Sequence, residues 1–377
     1  MKTETQSRVM IDGSLVLVEA MARAGVDVYI GYPITPANWI YAYAQKRIPV
    51  ALAAPDEITT LQWAVGFAAA GKLPLTATSF PGFALMLETL NMAYLMELPL
   101  VIVLVQRLGP STGSATTGAQ GDLLLLRGAI SGGYPLPVFC PSDITGCWDL
   151  AEHAVETALA LRTPVVLLTS KEMVMTSQSL ELKTLPEIER ASWPLHSGSG
   201  SYQSYEPGPD QVPPFLPVGN LEHQVRFNAS THNVEGLIRK ATPDAIANTR
   251  RLRTKIELAS DRFNRYSLQE AAGAKTLVVT YGITAGAVRE SAAQLSERGE
   301  PVSVLVLESL IPLPADLDDI LARYSRIVIA EENDAGQLAE MLFGRDKKLP
   351  TGRVNKIGKL ISPAEIIKEV ERCRTIS

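Results

Sequence analysis

Cysteine is scarce in this sequence, and its three thiols are not arranged as a disulfide or metal framework. Cys140, Cys147 and Cys373 are the only cysteines among 377 residues, and no two of them have the Cys-x-x-Cys spacing. Three thiols cannot form a disulfide framework, and without a Cys-x-x-Cys pair the chain has no zinc or iron–sulfur motif. We therefore expect reduced thiols in a cytoplasmic protein, with any cluster chemistry located on another chain.

Long apolar runs, basic blocks and metal-ligand spacings are absent as well. The longest apolar stretch, around Leu98–Val105, is far too short to cross a bilayer, and MKTETQSRVMIDG at the amino terminus contains no apolar segment of a secretory signal. The 35 basic and 40 acidic residues give a net charge of −5, which argues against nucleic acid as the main partner. The four histidines show no ligand spacing, so we expect no metal site on this chain.

What the sequence has is enough apolar material for more than one core. Hydrophobic residues make up 46% of the 377 residues and charged residues 20%, which is typical of a globular protein of two or three domains. Residues 1–175 alternate short apolar runs with helical segments, a pattern that predicts a parallel α/β sheet. The strands expected here include Val26–Ile30, Val50–Ala54, Leu75–Thr78 and Leu100–Val105.

The rest of the chain divides into two parts of different character. Residues 176–270 contain a stretch rich in Gly, Ser, Pro and Tyr, HSGSGSYQSYEPGPDQVPPFLPVG, which predicts an extended linker without its own core. A charged helix is expected over Pro243–Arg265. Residues 271–377 again alternate strands and helices, with Pro301–Ser309 as one strand, and predict a second α/β unit.

Ligands of parallel α/β sheets bind outside the carboxyl ends of the strands. Four loops leave such ends in the first unit: Gly31–Pro36, Pro55–Glu57, Ser79–Gly82 and Gln106–Asp122. We expect these loops to line any site that the first unit carries. The last loop is rich in Gly, Ser and Thr but has neither the GxxxxGK[ST] nor the GxGxxG pattern, so a nucleotide site is weakly supported.

Three residues in these loops are chemical candidates, and each has a structural alternative. Glu57 begins a helix, where the helix dipole alone favours an acid, and Asp56 serves equally well as the N-cap. Arg107 follows an apolar strand, where it can hold an anion by a bidentate contact or simply be a solvated loop residue. Thr35 lies between two prolines that direct its hydroxyl or merely make a rigid turn. Local sequence leaves these alternatives open.

Taken together, the segments resemble a known family. The strings GYPITPA, PDEITTLQWAVGFAAAG and SFPGFALMLETLNMAYLMELPLVIVLVQRLGPSTG are similar to the α subunit of thiamine-diphosphate-dependent 2-oxoacid:ferredoxin oxidoreductases. The resemblance covers nearly the whole chain, including the long linker and the carboxyl-terminal KIGKLISPAEI. It implies a pyrimidine-binding domain over residues 1–175, the extended linker over 176–270 and a transketolase-C-like domain over 271–377.

The resemblance also implies roles for particular residues. The glutamate nine residues before Gly66, which is Glu57, contacts the ring nitrogen of the aminopyrimidine and promotes ionisation of the thiazolium carbon. Thr35 lies near the substrate and the thiazolium, and Arg107 binds the carboxylate of the 2-oxoacid. Catalytic roles thus fall to Glu57, Thr35 and Arg107, and cofactor binding is expected at Glu57 and at a further set of residues, Pro33, Ile34, Gly82 and Phe83.

Parts of the chemistry are missing from the chain, and the family supplies them elsewhere. No GDG followed by NN is present to hold the diphosphate and Mg²⁺, and no cysteine cluster can take the electrons. The resemblance implies a β subunit that carries the diphosphate site, the Mg²⁺ and a [4Fe-4S] cluster. It further implies CoA as co-substrate, a ferredoxin-type acceptor, γ and δ subunits as further candidates, and an (αβ)₂ or larger assembly.

The substrate remains open at this level among 2-oxoglutarate, pyruvate, branched-chain and aromatic 2-oxoacids. Relatives of the 2-oxoglutarate type usually have a lysine and a glutamate before the glutamine and aspartate of the loop after PSTG. Here Thr117 and Ala119 occupy those places, and Pro55 stands where an acid is frequent. Two other functions compete with the enzymatic α subunit: a non-catalytic assembly or regulatory paralogue, and half of a non-oxidative thiamine-dependent decarboxylase.

Overall fold

The computed structural model describes residues 8–198, 200–344 and 352–375. Part of the amino-terminal segment considered for a secretory signal, residues 1–7, lies outside these ranges. The strands, in chain order, are β1 (Arg8–Ile11), β2 (Val28–Gly31), β3 (Val50–Ala53), β4 (Pro74–Thr78), β5 (Leu100–Gln106), β6 (Val138–Phe139), β7 (Pro164–Ser170), β8 (Gln178–Glu181), β9 (Tyr266–Gln269), β10 (Thr276–Tyr281), β11 (Ser303–Leu307), β12 (Ser309–Ile311), β13 (Arg326–Glu331) and β14 (Gly352–Asn355).

Helices connect most of these strands. They are α1 (Gly13–Ala24), α2 (Asn38–Arg47), α3 (Glu57–Ala69), α4 (Phe80–Leu95), α5 (Leu123–Arg127), α6 (Ile144–Leu161), α7 (Lys171–Met175), α8 (Pro243–Leu258), α9 (Ala285–Glu297), α10 (Leu317–Ala322), α11 (Gln337–Phe343) and α12 (Pro363–Thr375). No helix in the described ranges is long and apolar enough to cross a membrane.

The first sheet has seven strands in the order β12-β6-β7-β5-β4-β2-β3, and its strands from β2 to β7 run parallel. All residues of β4, β5 and β7 are buried, because helices cover both faces of the sheet. The side chains of β5 alternate accordingly, since Val101, Val103 and Val105 pack with α1 and α6 while the residues between them pack with α3 and α4. The predicted parallel α/β unit is confirmed.

The second sheet has five strands in the order β14-β13-β10-β11-β9, of which β9 alone is antiparallel to its neighbour. The predicted single strand over Pro301–Ser309 is wrong at its end. The segment is β11 in the second sheet up to Leu307, and after Glu308 it becomes β12, which pairs antiparallel with β6 at the edge of the first sheet. This crossing joins the two sheets and covers the edge of the two-residue strand β6.

The predicted linker range, 176–270, contains β8, α8 and β9 and also a long segment that lacks helices and strands in the part the structure describes. That segment packs on the first unit, since Tyr205 and Phe215 are fully buried. Arg162, also fully buried, donates hydrogen bonds from its Nη1 to the carbonyl oxygens of Ser204, Pro213 and Pro214 over 3.0–3.2 Å. The segment has a fixed course because a buried cation binds its backbone carbonyls.

A buried ion cluster holds α8 against the turn between α4 and β5. Glu97 is fully buried, and its carboxylate accepts a hydrogen bond of 2.7 Å from Lys255 Nζ and further bonds from Arg251. Burial alone would raise the pKa of Glu97, but the charges of Lys255 and Arg251 outweigh it and lower the pKa to about 2. The carboxylate is therefore ionised throughout the physiological range.

Candidate functional site

The four predicted loops meet at one edge of the first sheet. Strands β5, β4, β2 and β3 are neighbours and run parallel, so their carboxyl ends share that edge. Two contacts tie the loops together there. Arg107 Nη1 donates a hydrogen bond of 2.6 Å to the carbonyl oxygen of Thr35, and the carboxyl of Glu57 lies against Gly82.

Glu57 is the first residue of α3, and Asp56 is its N-cap. Asp56 Oδ1 accepts a hydrogen bond of 2.7 Å from the backbone N–H of Thr59, so the predicted cap is confirmed and Glu57 is not needed for capping. Glu57 is only 8% exposed. None of the described residues makes a hydrogen bond or ion pair with its carboxyl. The side chain is thus mostly enclosed, while its carboxyl oxygens keep access to solvent and are free to bind a ligand.

Gly82 packs directly against Glu57. A Cβ atom at Gly82 would lie 2.6 Å from Glu57 Cγ and 2.9 Å from Glu57 Oε1, and it would also overlap the hydroxyl of Thr78. Only glycine lets the first turn of α4 approach Glu57 this closely. Among the other expected cofactor-binding residues, Phe83 is fully buried in the core, Pro33 is exposed and Ile34 is half-buried.

Arg107 is not a solvated loop residue, because it is only 6% exposed. Its Nε is buried and has no hydrogen-bond partner, which leaves part of the guanidinium available. Burial lowers the pKa of Arg107, and the nearby carboxyl of Asp122 acts in the opposite direction. Burial in turn raises the pKa of Asp122 to about 7 although Arg107 opposes this, and Asp122 Oδ2 is a second buried atom without a partner.

The loop that follows Arg107 folds back on itself. The backbone N–H of Leu108 donates to the carbonyl oxygen of Thr117 over 2.8 Å, and that of Ser114 donates to the carbonyl oxygen of Leu108 over 2.9 Å. Gly113 has a φ of +51°, and a side chain there would overlap the Leu108 carbonyl. The fold of the loop buries Ala119 and returns the chain to Asp122, next to Arg107.

Sequence reasoning missed Gln120, which joins this loop to the second sheet. Its backbone N–H donates to the carbonyl oxygen of Glu332 and its side-chain oxygen accepts from the N–H of Glu332, both over 2.8 Å. Its Nε2 donates to the carbonyl oxygen of Tyr281 over 2.8 Å, and Asn333 Nδ2 donates to its backbone oxygen over 3.1 Å. No local pattern marks Gln120, because all these partners come from a distant part of the chain.

A cavity of about 340 Å³ opens beside Arg107 between the two sheets. The first unit contributes the loop from Arg107 to Asp122, and the second unit contributes the segment from Glu332 to Gln337. Burial raises the pKa of Glu332 to about 7, although the N–H of Ile361 donates a hydrogen bond to its carboxyl. The cavity therefore combines one cation with acids that titrate near neutrality.

These features fit one half of thiamine diphosphate. A carboxyl without a partner among the described residues, on a side chain that packs closely against Gly82, suits a protonated ring nitrogen of the aminopyrimidine. For the diphosphate half, no group of three or more His, Cys, Asp or Glu side chains in the described ranges is placed to hold a metal ion.

Comparisons with known proteins find a thiamine-diphosphate-binding family and several of its members. The family described as "Pyruvate flavodoxin/ferredoxin oxidoreductase, thiamine diP-bdg" matches residues 19–246. The 2-oxoglutarate synthase subunit KorA of Archaeoglobus fulgidus is 30% identical over 372 residues, which are 96% of this chain and 98% of that protein. The 2-oxoglutarate oxidoreductase subunit KorA of Mycobacterium tuberculosis is also 30% identical, but the match covers 87% of this chain and only 51% of that protein.

Among solved structures, the 2-oxoglutarate:ferredoxin oxidoreductase from Magnetococcus marinus, with 2-oxoglutarate, coenzyme A and succinyl-CoA bound, superposes with a TM-score of 0.92. It is 27% identical, and the match covers 98% of this chain and 66% of that chain. A split-gene transketolase, 14% identical with a TM-score of 0.55, shares the fold alone.

Proposed function

The chain belongs to the thiamine-diphosphate-binding pyruvate flavodoxin/ferredoxin oxidoreductase family, and on that premise we propose that it is the α subunit of a 2-oxoacid:ferredoxin oxidoreductase. The proposed reaction converts a 2-oxoacid and CoA to acyl-CoA and CO2, or runs in reverse, with electrons passed to iron–sulfur clusters. The observation that carries the proposal is the carboxyl of Glu57, which has no partner among the described residues and lies on the same sheet edge as the buried guanidinium of Arg107.

In this proposal Glu57 binds the cofactor. Its carboxyl shares a proton with the ring nitrogen of the aminopyrimidine, and the absence of an internal partner leaves it free to do so. Gly82 lets the first turn of α4 pack directly against Glu57, Pro33 and Ile34 form a neighbouring loop, and Phe83 supports α4 from the core. Thiamine diphosphate, when bound, supplies the nucleophilic carbon and holds the electron pair that remains after CO2 leaves.

Arg107 and Thr35 handle the substrate. The guanidinium binds the carboxylate of the 2-oxoacid, and because Arg107 is buried this charge-assisted contact excludes water and is worth roughly 1.5–3 kcal/mol. The hydrogen bond from Arg107 to the Thr35 carbonyl fixes both residues relative to each other. We place the Thr35 hydroxyl near the reacting carbon.

A partner subunit completes the site in this proposal. We assign to a β subunit the diphosphate site, Mg²⁺ and a [4Fe-4S] cluster, with ferredoxin as acceptor, γ and δ subunits as further candidates and (αβ)₂ as the smallest assembly. Large apolar side chains near Glu57 are exposed by 39–52%, and such patches favour interfaces; they are Tyr32, Ile58, Trp63 and Leu85. The three buried free thiols are consistent with a reducing, cytoplasmic location.

The test is an anaerobic assay of the complex co-purified with its β subunit. Thiamine diphosphate, Mg²⁺, CoA and a viologen dye are supplied, and we expect dye reduction that requires a 2-oxoacid. Arg107→Gln should raise the KM for the 2-oxoacid about 10- to 100-fold, the factor that corresponds to roughly 1.5–3 kcal/mol. Thiamine diphosphate affinity should stay unchanged.

Arg127→Gln is the matched control, because Arg127 is exposed and lies outside the proposed binding machinery. Its KM should equal that of the wild type. A complex that retains cofactor and clusters but reduces no dye with any 2-oxoacid would refute the proposed function. Loss of cofactor affinity in Arg107→Gln would assign Arg107 to the cofactor rather than to the substrate.

A further inference from the structure

The charges around the cavity beside Arg107 are strongly unequal. Of the described residues that line it, Arg107 is the only cation, and Asp122, Glu332 and Asp334 are acids. Asp122 and Glu332 are buried, whereas Asp334 is exposed at the mouth. One carboxylate of a ligand can be neutralised by Arg107, but a second carboxylate would meet three acids and, among the described lining residues, no further cation.

The remaining walls of the cavity are largely apolar. They favour a ligand whose substituent is uncharged, because an apolar substituent gains from leaving water while a charged one loses its hydration. The apolar lining consists of Phe80, Leu108, Pro110, Ala119 and Ile357. The volume of about 340 Å³ is within the range of small-molecule sites and is larger than an acetyl-sized substituent needs.

We propose that the substrate of this site is a monocarboxylic 2-oxoacid with an uncharged, bulky substituent, and that Asp122, Glu332 and Asp334 exclude dicarboxylic 2-oxoacids. The inference rests on the proposed function, because it takes the carboxylate of a 2-oxoacid to bind Arg107. The substituent of such a molecule lies only a few bonds from its carboxylate. It therefore lies in the cavity that Arg107 lines.

The size of the discrimination follows from Coulomb's law. At an effective dielectric constant of about 20, two like charges about 10 Å apart repel by roughly 1.5 kcal/mol, which corresponds to about a tenfold change. A single ionised acid near the second carboxylate is enough to lower kcat/KM for the dicarboxylic substrate about tenfold. We expect kcat/KM for an uncharged-chain 2-oxoacid to exceed that for 2-oxoglutarate at least tenfold.

The surroundings of the two buried acids make this discrimination depend on pH. Asp122 faces Arg107 and the buried hydroxyl of Tyr281. Because burial raises its pKa to about 7, it is neutral below that pH and charged above it. Its repulsion of a second carboxylate therefore grows as the pH rises.

Glu332 behaves in the same way in a different setting. It faces the carboxyl of Glu172 on α7, the ammonium of Lys356 after β14 and the hydroxyls of Thr284 and Tyr281. Burial raises its pKa to about 7 as well. The preference for the monocarboxylic substrate should accordingly increase several-fold between pH 6 and pH 8, where the carboxylates of both substrates are fully ionised.

The experiment measures kcat/KM of the co-purified complex for 3-methyl-2-oxobutanoate, 4-methyl-2-oxopentanoate, phenylglyoxylate, pyruvate and 2-oxoglutarate. Asp334→Lys places a cation at the mouth and, being exposed, leaves the core untouched. It should narrow the ratio of kcat/KM between the uncharged-chain acids and 2-oxoglutarate about tenfold, because the second carboxylate of 2-oxoglutarate gains most from the new cation. Glu297→Lys makes the same change of charge on an exposed position of α9 and should leave all the ratios unchanged.

Each outcome decides the matter. A preference for an uncharged-chain acid that narrows in Asp334→Lys supports the inference. The inference is overturned if the wild type prefers 2-oxoglutarate, or if the ratio of kcat/KM for the uncharged-chain acid to that for 2-oxoglutarate falls as the pH rises. Either result leaves the proposed function standing. Absence of turnover with every 2-oxoacid by a cofactor-loaded complex refutes both.

Discussion

Replacing Glu57 by glutamine should separate activity from stability. The amide is nearly the same size as the carboxyl but cannot exchange a proton with a ring nitrogen at neutral pH. Positioned acid–base groups contribute roughly 10²–10⁴-fold to a rate. We therefore expect Glu57→Gln to lower kcat by that factor, which corresponds to about 3–5 kcal/mol of barrier.

The effect of Glu57→Gln on folding should be small or of opposite sign. The residue is 8% exposed and its carboxyl has no partner among the described residues, so partial burial of the carboxyl costs at most roughly 1–3 kcal/mol. As an acid in the first turn of α3 it regains roughly 0.3–1 kcal/mol from the helix dipole. The neutral amide loses the stabilisation by the helix dipole, but its burial costs less than that of the carboxyl. The free energy of unfolding should therefore stay equal or rise by about 1 kcal/mol.

Three measurements test this expectation: the anaerobic dye assay, the thermal midpoint of the apo chain, and the exchange rate of the thiazolium C2 proton in the loaded complex. The exchange rate should fall in Glu57→Gln even when no substrate is present. Asp56→Ala is the matched control on the adjacent residue. It removes the cap on the Thr59 N–H, so it should lower the thermal midpoint and leave the exchange rate nearly unchanged.

Two results would refute the reasoning about Glu57. A variant that keeps kcat and the C2 exchange rate within threefold of the wild type would show that Glu57 is not the group that binds the aminopyrimidine. A variant that loses activity and thermal stability in parallel would show that the carboxyl is structural. Recovery of the thermal midpoint in Asp56→Asn, which keeps a capping oxygen, confirms that the control reports on the cap.

The remaining predictions concern space and buried charge. Gly82→Ala should abolish activity in the dye assay, because the new Cβ would overlap Glu57 and Thr78. Gly66→Ala on α3 adds a Cβ that meets nothing within 4 Å, so in urea titrations it should raise the unfolding free energy by roughly 0.5–1 kcal/mol. Glu97→Gln should lower the unfolding free energy by roughly 3–5 kcal/mol, because it leaves buried cations unpaired. Because the folded pKa of Glu97 is about 2 and thus below its usual value, its stabilisation is present above about pH 4.5 and is lost as the pH falls through 2. The difference between wild type and Glu97→Gln in urea should therefore narrow in acid, and a constant difference would contradict the ion cluster.

The strands of the first unit could be predicted from the sequence because helices bury both of their faces. The apolar run predicted as Leu100–Val105 is the strand Leu100–Gln106. What local sequence could not give is the choice of partner strand. The run Pro301–Ser309 is uniformly suited to a sheet, yet β12 leaves the second sheet for the first, and only the tertiary fold decides this.

Two of the helices that local sequence did not reveal have identifiable causes. Helix α2 begins at Asn38 after the N-cap Ala37, so the prolines of GYPITP, which make a rigid turn, lie just before the helix and do not prevent it. Helix α11 begins after Gly336, and the carboxylate of Glu331 accepts the N–H groups of Leu338 and Ala339 at its start. That cap comes from the preceding strand, outside the usual N-cap position.

The residues of the candidate site that lie in the first unit could be predicted from the sequence, but the walls of the cavity could not. Glu57, Thr35 and Arg107 follow strands in the first unit, so their shared edge follows from the parallel order. The order of the strands does not predict that Glu57 and Arg107 are buried. The burial of Arg107 excludes its interpretation as a solvated loop residue. Glu332 lies more than 200 positions after Gln120 in the chain, and no spacing rule connects the two.

The pair of hydrogen bonds between Gln120 and Glu332 has a consequence for how this site is encoded. Each residue donates an N–H to an oxygen of the other over 2.8 Å, so the loop after Arg107 and the segment after β13 form one rigid wall. In the proposed function, the wall on the first unit supplies Arg107, which binds a carboxylate, and one of the three acids, Asp122; the wall on the second unit supplies the other two, Glu332 and Asp334. The 2-oxoacid group would therefore be bound from the first unit, and most of the charge that selects its substituent would come from the second. A change of substrate can then arise in the segment Glu332–Gln337 without disturbing Glu57 or Arg107.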